Sequence, residues 1–115
     1  MNCRLRFERG ISCFGLQPEI LWALDQTVLV WDVHGMDYVT VTSGRGGPHS
    51  EKSLHNVGLA VDIRIWGIGA TLLEEMALAL RVALGPAFDV VVKPDHVHIE
   101  YQPKGEQQYL TQLAA

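Results

Sequence analysis

The sequence predicts an α+β domain in which helices cover a mainly antiparallel sheet. Two observations carry this prediction. Some stretches place apolar residues at helical spacing, and others alternate polar and apolar residues as strands do. The two kinds of stretch are mixed along the chain without a regular repeat, which favours an α+β architecture. At 115 residues the chain has the size of a single domain, residues 1–115, with one hydrophobic core.

The N-terminal third is predicted to be helical after a weakly patterned start. Residues 1–15 are compatible with a short strand or a packed arm. Pro18 suits a first helical turn, because its missing N–H is not needed there, and Glu19 favours the positive end of the helix dipole. We therefore expect a helix from about Pro18 to Val30. Its predicted buried stripe is Ile20, Leu21, Leu24 and Val28, and the aromatics expected in or near the core are Trp22 and Trp31.

A strand, a glycine-rich loop and a second strand are predicted next. Tyr38 to Ser43 is a β-branched run that alternates with period two. Gly44 to Ser50 is rich in glycine and should form a loop; it lacks the lysine and the strand-to-helix setting of a phosphate-binding loop. Gly58 to Ile65 alternates again. One face of this strand carries Leu59, Val61, Ile63 and Ile65, and the other carries Ala60, Asp62 and Arg64.

The C-terminal half predicts a second helix, two strands and a last helix. Thr71 to Glu74 has the pattern of a capping box, and apolar spacing continues this helix to Gly85, which ends it. Phe88 to Val92 and His96 to Tyr101 are predicted strands separated by a proline turn. Glu106 to Leu113 is predicted to form a short helix. In the last strand Val97, Ile99 and Tyr101 face one way, and His96, His98 and Glu100 face the other.

Composition and charge argue against several classes of function. The net charge of −4 and pI of about 5.6 provide no general basic field, so we expect no nucleic-acid partner. No apolar run approaches the roughly 20 residues that span a bilayer, so we expect no membrane partner. Residues 1–15 lack the features of a signal peptide, which predicts synthesis and folding in the cytoplasm. Cys3 and Cys13 are then expected to be free thiols. We also expect the chain to be a monomer.

Two stretches hold the residues best suited to metal chemistry. Residues 53–62 contribute His55 and Asp62, and residues 95–101 contribute His98. Two imidazoles and one carboxylate are a ligand set of catalytic zinc, with a fourth position left for water. His55 and Asp62 would lie on a loop and the strand that follows it. His98 would arrive from a second strand.

Three neighbouring residues have predicted supporting roles. Asp95 lies three residues before His98, where a carboxylate can take a proton from water and pass it to a departing amine. His96 shares the face of His98. By geometry alone His96 could be the ligand instead, and otherwise it is a substrate contact. Glu100 is either a partner that orients a ligand imidazole or an exposed strand residue.

The spacing of these residues resembles that of a known family. The patterns S-x-H-x-x-G-x-A-x-D at positions 53–62 and D-x-x-H at 95–98 are similar to the motifs of zinc peptidases of bacterial cell-wall metabolism. That family includes D-alanyl-D-alanine carboxypeptidases and dipeptidases and the phage L-alanyl-D-glutamate endopeptidases, and its fold is shared with the hedgehog signalling domain. The resemblance spans about Val39 to Tyr101. It implies a hedgehog-type fold and hydrolysis of a peptide bond in peptidoglycan stem peptides.

The resemblance also implies roles for individual residues. The Zn²⁺ ligands would be His55, Asp62 and His98. Asp95 would be the general base, at a place where many members carry glutamate, and Ser53 would hydrogen-bond the substrate near the metal. The family commonly uses an arginine ahead of the first motif to stabilise the oxyanion or a substrate carboxylate. Arg45 is the candidate, although its glycine-rich setting departs from the usual pattern.

Other functions are compatible with the same residues. A zinc-dependent binding module of this fold would keep the metal and lack catalysis. A phage virion or tail component would use the domain to digest the wall locally. The chain also fits a phage or prophage lysis enzyme (an endolysin) that a separate membrane pore releases, and a cytoplasmic dipeptidase fits equally well.

Overall fold

The computed structural model describes residues 2–45 and 54–103, with the backbone alone for Asn56. The helices are α1 (Pro18–Val33) and α2 (Ala70–Leu84), with a short 3-10 helix at Leu54–Val57. The strands are β1 (Arg4–Phe7), β2 (Tyr38–Ser43), β3 (Ala60–Arg64), β4 (Phe88–Val92) and β5 (His96–Tyr101). Across these two ranges, no helix is long and apolar enough to cross a membrane. Ser53 and the helix predicted from Glu106 to Leu113 lie outside the described residues.

The described strands form one mixed sheet in the order β1-β2-β3-β5-β4. β1 runs parallel to β2, with Leu5 opposite Val39, and the other neighbours pair antiparallel. A parallel pair requires a crossover connection, and α1 supplies it between β1 and β2. The expected mainly antiparallel sheet is therefore corrected to a mixed one. Residues 1–15 left a strand open as an alternative, but their pattern carried no information about its direction.

One face of the sheet and both helices enclose the hydrophobic core. The sheet contributes Val39, Val41, Val61, Ile63, Val97 and Ile99, and the helices contribute Ile20, Leu24, Trp31, Met76 and Leu80. Each of these side chains is almost completely buried, and burying one apolar side chain of this size stabilises the fold by about 1.5–3 kcal/mol. Because successive strand residues point to opposite faces, the core leaves Asp62 and His98 on the face away from the helices.

The buried stripe of α1 differs from the predicted one. Leu21 and Trp22 are both 42% exposed, whereas Trp31 is 1% exposed. The helical repeat places residues 20, 24, 27 and 31 on one face, so positions 21 and 22 turn away from the core. Trp22 instead packs on Phe88, with ring centroids 5.6 Å apart. The position predicted for Trp31 is confirmed, and the one predicted for Trp22 is wrong.

The start of α2 also differs from its prediction. The helix begins at Ala70, with Gly69 at the N-cap and no side-chain cap. Thr71 therefore lies inside the helix, and the predicted capping box is wrong. α2 ends before Gly85, as predicted, and this glycine has a positive φ of 82°. Cys3 and Cys13 are both free thiols, which confirms that prediction.

Candidate metal centre

The candidate centre lies on the sheet face that the helices leave open. β3 and β5 are neighbours, and their antiparallel register puts Asp62 directly opposite His98. Directly opposite residues on antiparallel strands share a face, so the two side chains meet. Both are largely shielded from solvent, with 15% and 19% of their side chains exposed. The register of two strands thus forms the first half of the site.

His55 reaches the same carboxylate from the 3-10 helix. Its Nδ1 donates a hydrogen bond to the carbonyl oxygen of Gly44 at 3.1 Å, and its Nε2 lies 3.4 Å from Asp62 Oδ1. A neutral imidazole has one protonated nitrogen and one lone pair. Since Nδ1 holds the proton that Gly44 accepts, the lone pair is on Nε2. The contact with Gly44 therefore selects the tautomer that can bind a metal.

His98 is held in the same way by an acid. Its Nδ1 lies 2.8 Å from Asp62 Oδ1, and its Nε2 donates to Glu100 Oε1 at 2.8 Å. Glu100 follows on the same strand and face, and 21% of its side chain is exposed. The sequence left two roles open for Glu100. The structure places its carboxylate on the imidazole, which is the orienting position.

His55, Asp62 and His98 form a group that could hold a metal ion. One ligand atom from each lies within 4.8 Å of the other two. Two imidazole nitrogens and one carboxylate oxygen are donors that zinc prefers. In zinc sites the second nitrogen of a ligand histidine is almost always bonded to a carboxylate, carbonyl or water, and both imidazoles here have such a contact. The donor set and its outer contacts therefore fit zinc.

Asp62 and His98 shift each other's pKa in the absence of a metal. Burial raises the pKa of the Asp62 carboxyl, but its side-chain contacts with His55 and His98 outweigh burial and hold that pKa well below its usual range. The hydrogen bond to Asp62 raises the pKa of His98, burial opposes this rise, and Glu100 adds to it. Asp62 is consequently ionised at neutral pH, and His98 holds its proton more tightly than an ordinary histidine does.

The metal-free protein should lose stability as the pH rises through the raised pKa of His98. A histidine whose pKa in the folded state lies above its ordinary 6.5 binds its proton more tightly when folded. That stabilisation is complete below the ordinary pKa and disappears as the pH passes the folded-state pKa. Urea unfolding in the presence of a chelator, over a pH series that brackets this interval, measures the decline.

Two variants isolate the source of this pH dependence. His98→Gln should flatten the decline, whereas His34→Gln, at the C-terminus of α1, should leave it intact. Zinc affinity should rise over the same interval, because a ligand imidazole must lose its proton. An unchanged pH slope in the His98→Gln protein would show that His98 is not the group responsible.

Gly58 fastens the 3-10 helix to the loop that precedes α1. Its φ is 75°, its N–H donates to the carbonyl of His55 at 3.1 Å, and its carbonyl accepts from Gln17 N at 3.0 Å. A Cβ at this position would collide with the carbonyl oxygen of Gly15. The glycine of the motif therefore meets a backbone requirement here, because close approach and a positive φ both need glycine.

Arg45 comes directly after Gly44, whose carbonyl binds His55, but its side chain is not in the group of His55, Asp62 and His98. The Arg45 side chain is exposed and lies against Gly15. A Cβ added to Gly15 would be only 2.9 Å from Arg45 Nη1. Arg45 is thus next to a site residue in the sequence but is not part of the group of three. Its role at an oxyanion stays a prediction, as does the substrate contact of Ser53, which lies outside the described residues.

Asp95 lies on the turn between β4 and β5 and contacts His96. Its side chain is 81% exposed, and its Oδ1 accepts from His96 Nδ1 at 2.6 Å. His96 Nε2 in turn lies 3.6 Å from Asp62 Oδ1. His96 is therefore beside the group of His55, Asp62 and His98 but is not one of the three. The carboxylate predicted to be the base reaches the centre through an imidazole, an arrangement that the three-residue spacing did not predict.

One contributor to the site was missed because it carries no side chain. The carbonyl of Gly44 sets the tautomer of His55 from 11 residues away in the chain. A backbone acceptor leaves no mark in the residue types, so sequence reasoning had no signal to detect. Arg64, which the sequence placed on the same strand face as Asp62, pairs with Glu8 in the structure.

The fold and the site define a small α+β protein with a candidate centre for a divalent metal. No protein-family model matches the chain, and a search of curated proteins found no significant match either. The resemblance to cell-wall zinc peptidases therefore stays a prediction from the two sequence motifs.

Proposed function

We propose that this protein is a zinc metallopeptidase that hydrolyses a peptide bond in peptidoglycan stem peptides, of the D-Ala-D-Ala carboxypeptidase or L-Ala-D-Glu endopeptidase type. The observation that carries the proposal is the group of His55, Asp62 and His98, whose imidazoles each have an outer acceptor. It lies on a sheet face that no described helix covers. Its motif spacing resembles that of this class of peptidase.

The chain supplies groups for each proton transfer of such a hydrolysis. Zinc in this site would provide a Lewis acid that polarises the peptide carbonyl and makes water easier to deprotonate. Asp95 accepts a proton from the attacking water and returns it to the amine nitrogen as the C–N bond breaks. His96, bonded to Asp95 and facing Asp62, stands between this carboxylate and the centre. Arg45 contributes to the oxyanion when its exposed side chain turns away from Gly15.

Replacing Asp95 with alanine should abolish hydrolysis and leave the zinc content unchanged. The side chain is 81% exposed, so its removal should not disturb the core. Loss of a general base typically reduces the rate by about 10²–10⁴-fold. Mass spectrometry of muropeptide digests measures cleavage, and elemental analysis measures zinc.

The matched control is Asp25→Ala, which removes an exposed acid from α1, away from the sheet face. It should keep full activity. A third variant, His96→Ala, tests whether Asp95 acts alone: equal losses in the two variants would indicate that the pair acts as a unit. Full activity of the Asp95→Ala protein would refute the assignment of the base.

A zinc-dependent binding module without catalysis is the second candidate. The exposure of Asp95, and its bond to His96 rather than to the group, favour this alternative. Such a module would bind cell-wall fragments when loaded with zinc and release no new amino groups from them. Measuring the amino groups that the wild-type protein releases from cell-wall fragments therefore separates the two functions. The same measurement applies to a lysis enzyme and to a virion component.

A further inference from the structure

A row of cationic side chains borders the metal centre on the same face of the sheet. Arg64 lies two residues after Asp62 on β3, and the register places it opposite His96. Arg6 on β1 is opposite Thr40 on β2, and Thr40 and Arg64 line the same cavity. Residues on one face of a strand are about 7 Å apart along it. Arg64 therefore lies about one same-face step from Asp62, and Arg6 lies two strands further toward the β1 edge of the sheet.

The two arginines line a cavity and are held there by aromatic rings. The cavity has a volume of about 190 Å³. The guanidinium carbon of Arg6 lies 3.9 Å from the ring centroid of Tyr38, and that of Arg64 lies 4.0 Å from the ring of Trp66. Stacking fixes the plane of a guanidinium and leaves the N–H groups at its edge available to an acceptor.

Arg64 has donors that the described residues do not satisfy. Its Nε is buried and has no acceptor within the described part of the chain. Its Nη2 lies 3.5 Å from Glu8 Oε2, which is long for a charge-assisted hydrogen bond, about 2.7–2.9 Å. A buried donor without a partner costs free energy, and an anionic ligand would remove that cost.

Arg6 is similarly incomplete. Its Nε donates to Thr40 Oγ1 at 2.8 Å. Within residues 2–45 and 54–103, no carboxylate forms an ion pair with its guanidinium. The two arginines therefore present incompletely paired donors to a cavity that Asp37 also lines.

We propose that this cavity is a subsite for a carboxylate of the peptide substrate, so that the protein prefers acidic peptides. The inference rests on the proposed function and adds a substrate class to it. A peptide advances by about 3.3–3.6 Å per residue, so a distance of about 7 Å corresponds to roughly two residues from the bond at the metal. The planar carboxylate matches the fork of Arg64, and Glu8 occupies that position loosely when no ligand is bound.

The test compares two peptides on the zinc-loaded, full-length Asp95→Ala protein, in which cleavage does not deplete the ligand. One probe is a stem peptide with free carboxylates, and the other is the same peptide with its carboxylates amidated. Calorimetry should give a preference of about tenfold for the free acid, the size expected of charge-assisted hydrogen bonds. Arg64→Gln and Arg6→Gln should each remove most of this preference.

Arg9→Gln is the matched control, since it removes one exposed positive charge that does not line the cavity. It should keep the preference for the free acid. Glu8→Gln should strengthen binding of the free acid, because it removes an internal competitor for Arg64. A misfolded variant would not bind more tightly, so this result does not depend on how Arg64→Gln folds. Arg64→Lys, which retains the charge and loses the fork, should give an intermediate loss.

The outcomes separate the subsite from the reaction. Equal affinity for the two peptides, or equal losses in Arg9→Gln and Arg64→Gln, would overturn the subsite. If the wild-type protein cleaves both peptides equally well, the subsite is wrong and the proposed function stands. If the free acid is preferred but the wild-type protein cleaves neither peptide, the subsite stands and hydrolysis is wrong.

Discussion

Replacing Asp62 with asparagine is expected to abolish tight zinc binding and, with it, hydrolysis. Asp62 Oδ1 is the atom on which the site converges, 2.8 Å from His98 Nδ1 and 3.4 Å from His55 Nε2. The amide has nearly the same shape but no negative charge, so the cation loses its anionic ligand. Losing an outer partner of a zinc ligand typically costs about 10–100-fold in affinity, and loss of the carboxylate ligand itself should exceed that. Competition with a chromophoric chelator measures the affinity.

Two further variants place this effect on a scale. Glu100→Gln keeps a hydrogen-bond acceptor for His98 but weakens it, and should reduce affinity within the range given for outer partners. Asp25→Asn makes the same chemical change as Asp62→Asn at an exposed position of α1 and should leave affinity unaltered. Zinc affinity that survives in Asp62→Asn would mean that the metal, if it binds, lies elsewhere.

Replacing Gly58 with alanine is expected to be the most destabilising single methyl addition in the described part of the chain. A positive φ costs an L-residue about 1–2 kcal/mol. In addition, the new Cβ would collide with the carbonyl of Gly15, a backbone atom that cannot rotate away. We expect a loss of about 3 kcal/mol or more in the free energy of unfolding, within the range of steric and backbone mutations. Urea denaturation of the metal-free protein measures it.

Gly35→Ala is a close control for the steric part of this effect. Gly35 also has a positive φ, 84°, but no atom lies within 4 Å of the position its Cβ would take. It should therefore show the cost of φ alone, about 1–2 kcal/mol. Similar losses in the two variants would show that the contact with Gly15 relaxes without cost. Because the carbonyl of His55 accepts from Gly58 N, the Gly58→Ala protein should also bind zinc more weakly.

Local pattern was sufficient for most of the strands. The alternation in Tyr38–Ser43, Phe88–Val92 and His96–Tyr101 predicted the bounds that the structure has, and the same alternation assigned Asp62 and His98 to polar faces. These predictions succeeded because a strand with one buried face must repeat every two residues. The prediction for the start of α2 failed. A capping-box pattern is only a local preference, and the chain began the helix at Ala70 instead.

Contacts between distant segments were beyond such reasoning. The direction of β1 relative to β2 depends on the path of α1, and the weak pattern of the N-terminal residues does not indicate that direction. The bond from Asp95 to His96 depends on the rotamers of a turn, whereas spacing alone directed that carboxylate toward the metal. The row of Arg6 and Arg64 joins strands that are far apart in the chain, so neither residue is conspicuous in its own stretch.

The sequence by itself determined the candidate ligand types, their order along the chain and the faces of the strands that carry them. Those are properties of short stretches, set by side-chain chemistry and by the repeat of a strand. Only the tertiary structure decided that Asp62 lies opposite His98, that the carbonyl of Gly44 sets the tautomer of His55, and that two arginines lie beside them. Each of these depends on register and packing between segments far apart in the chain, which many residues determine together.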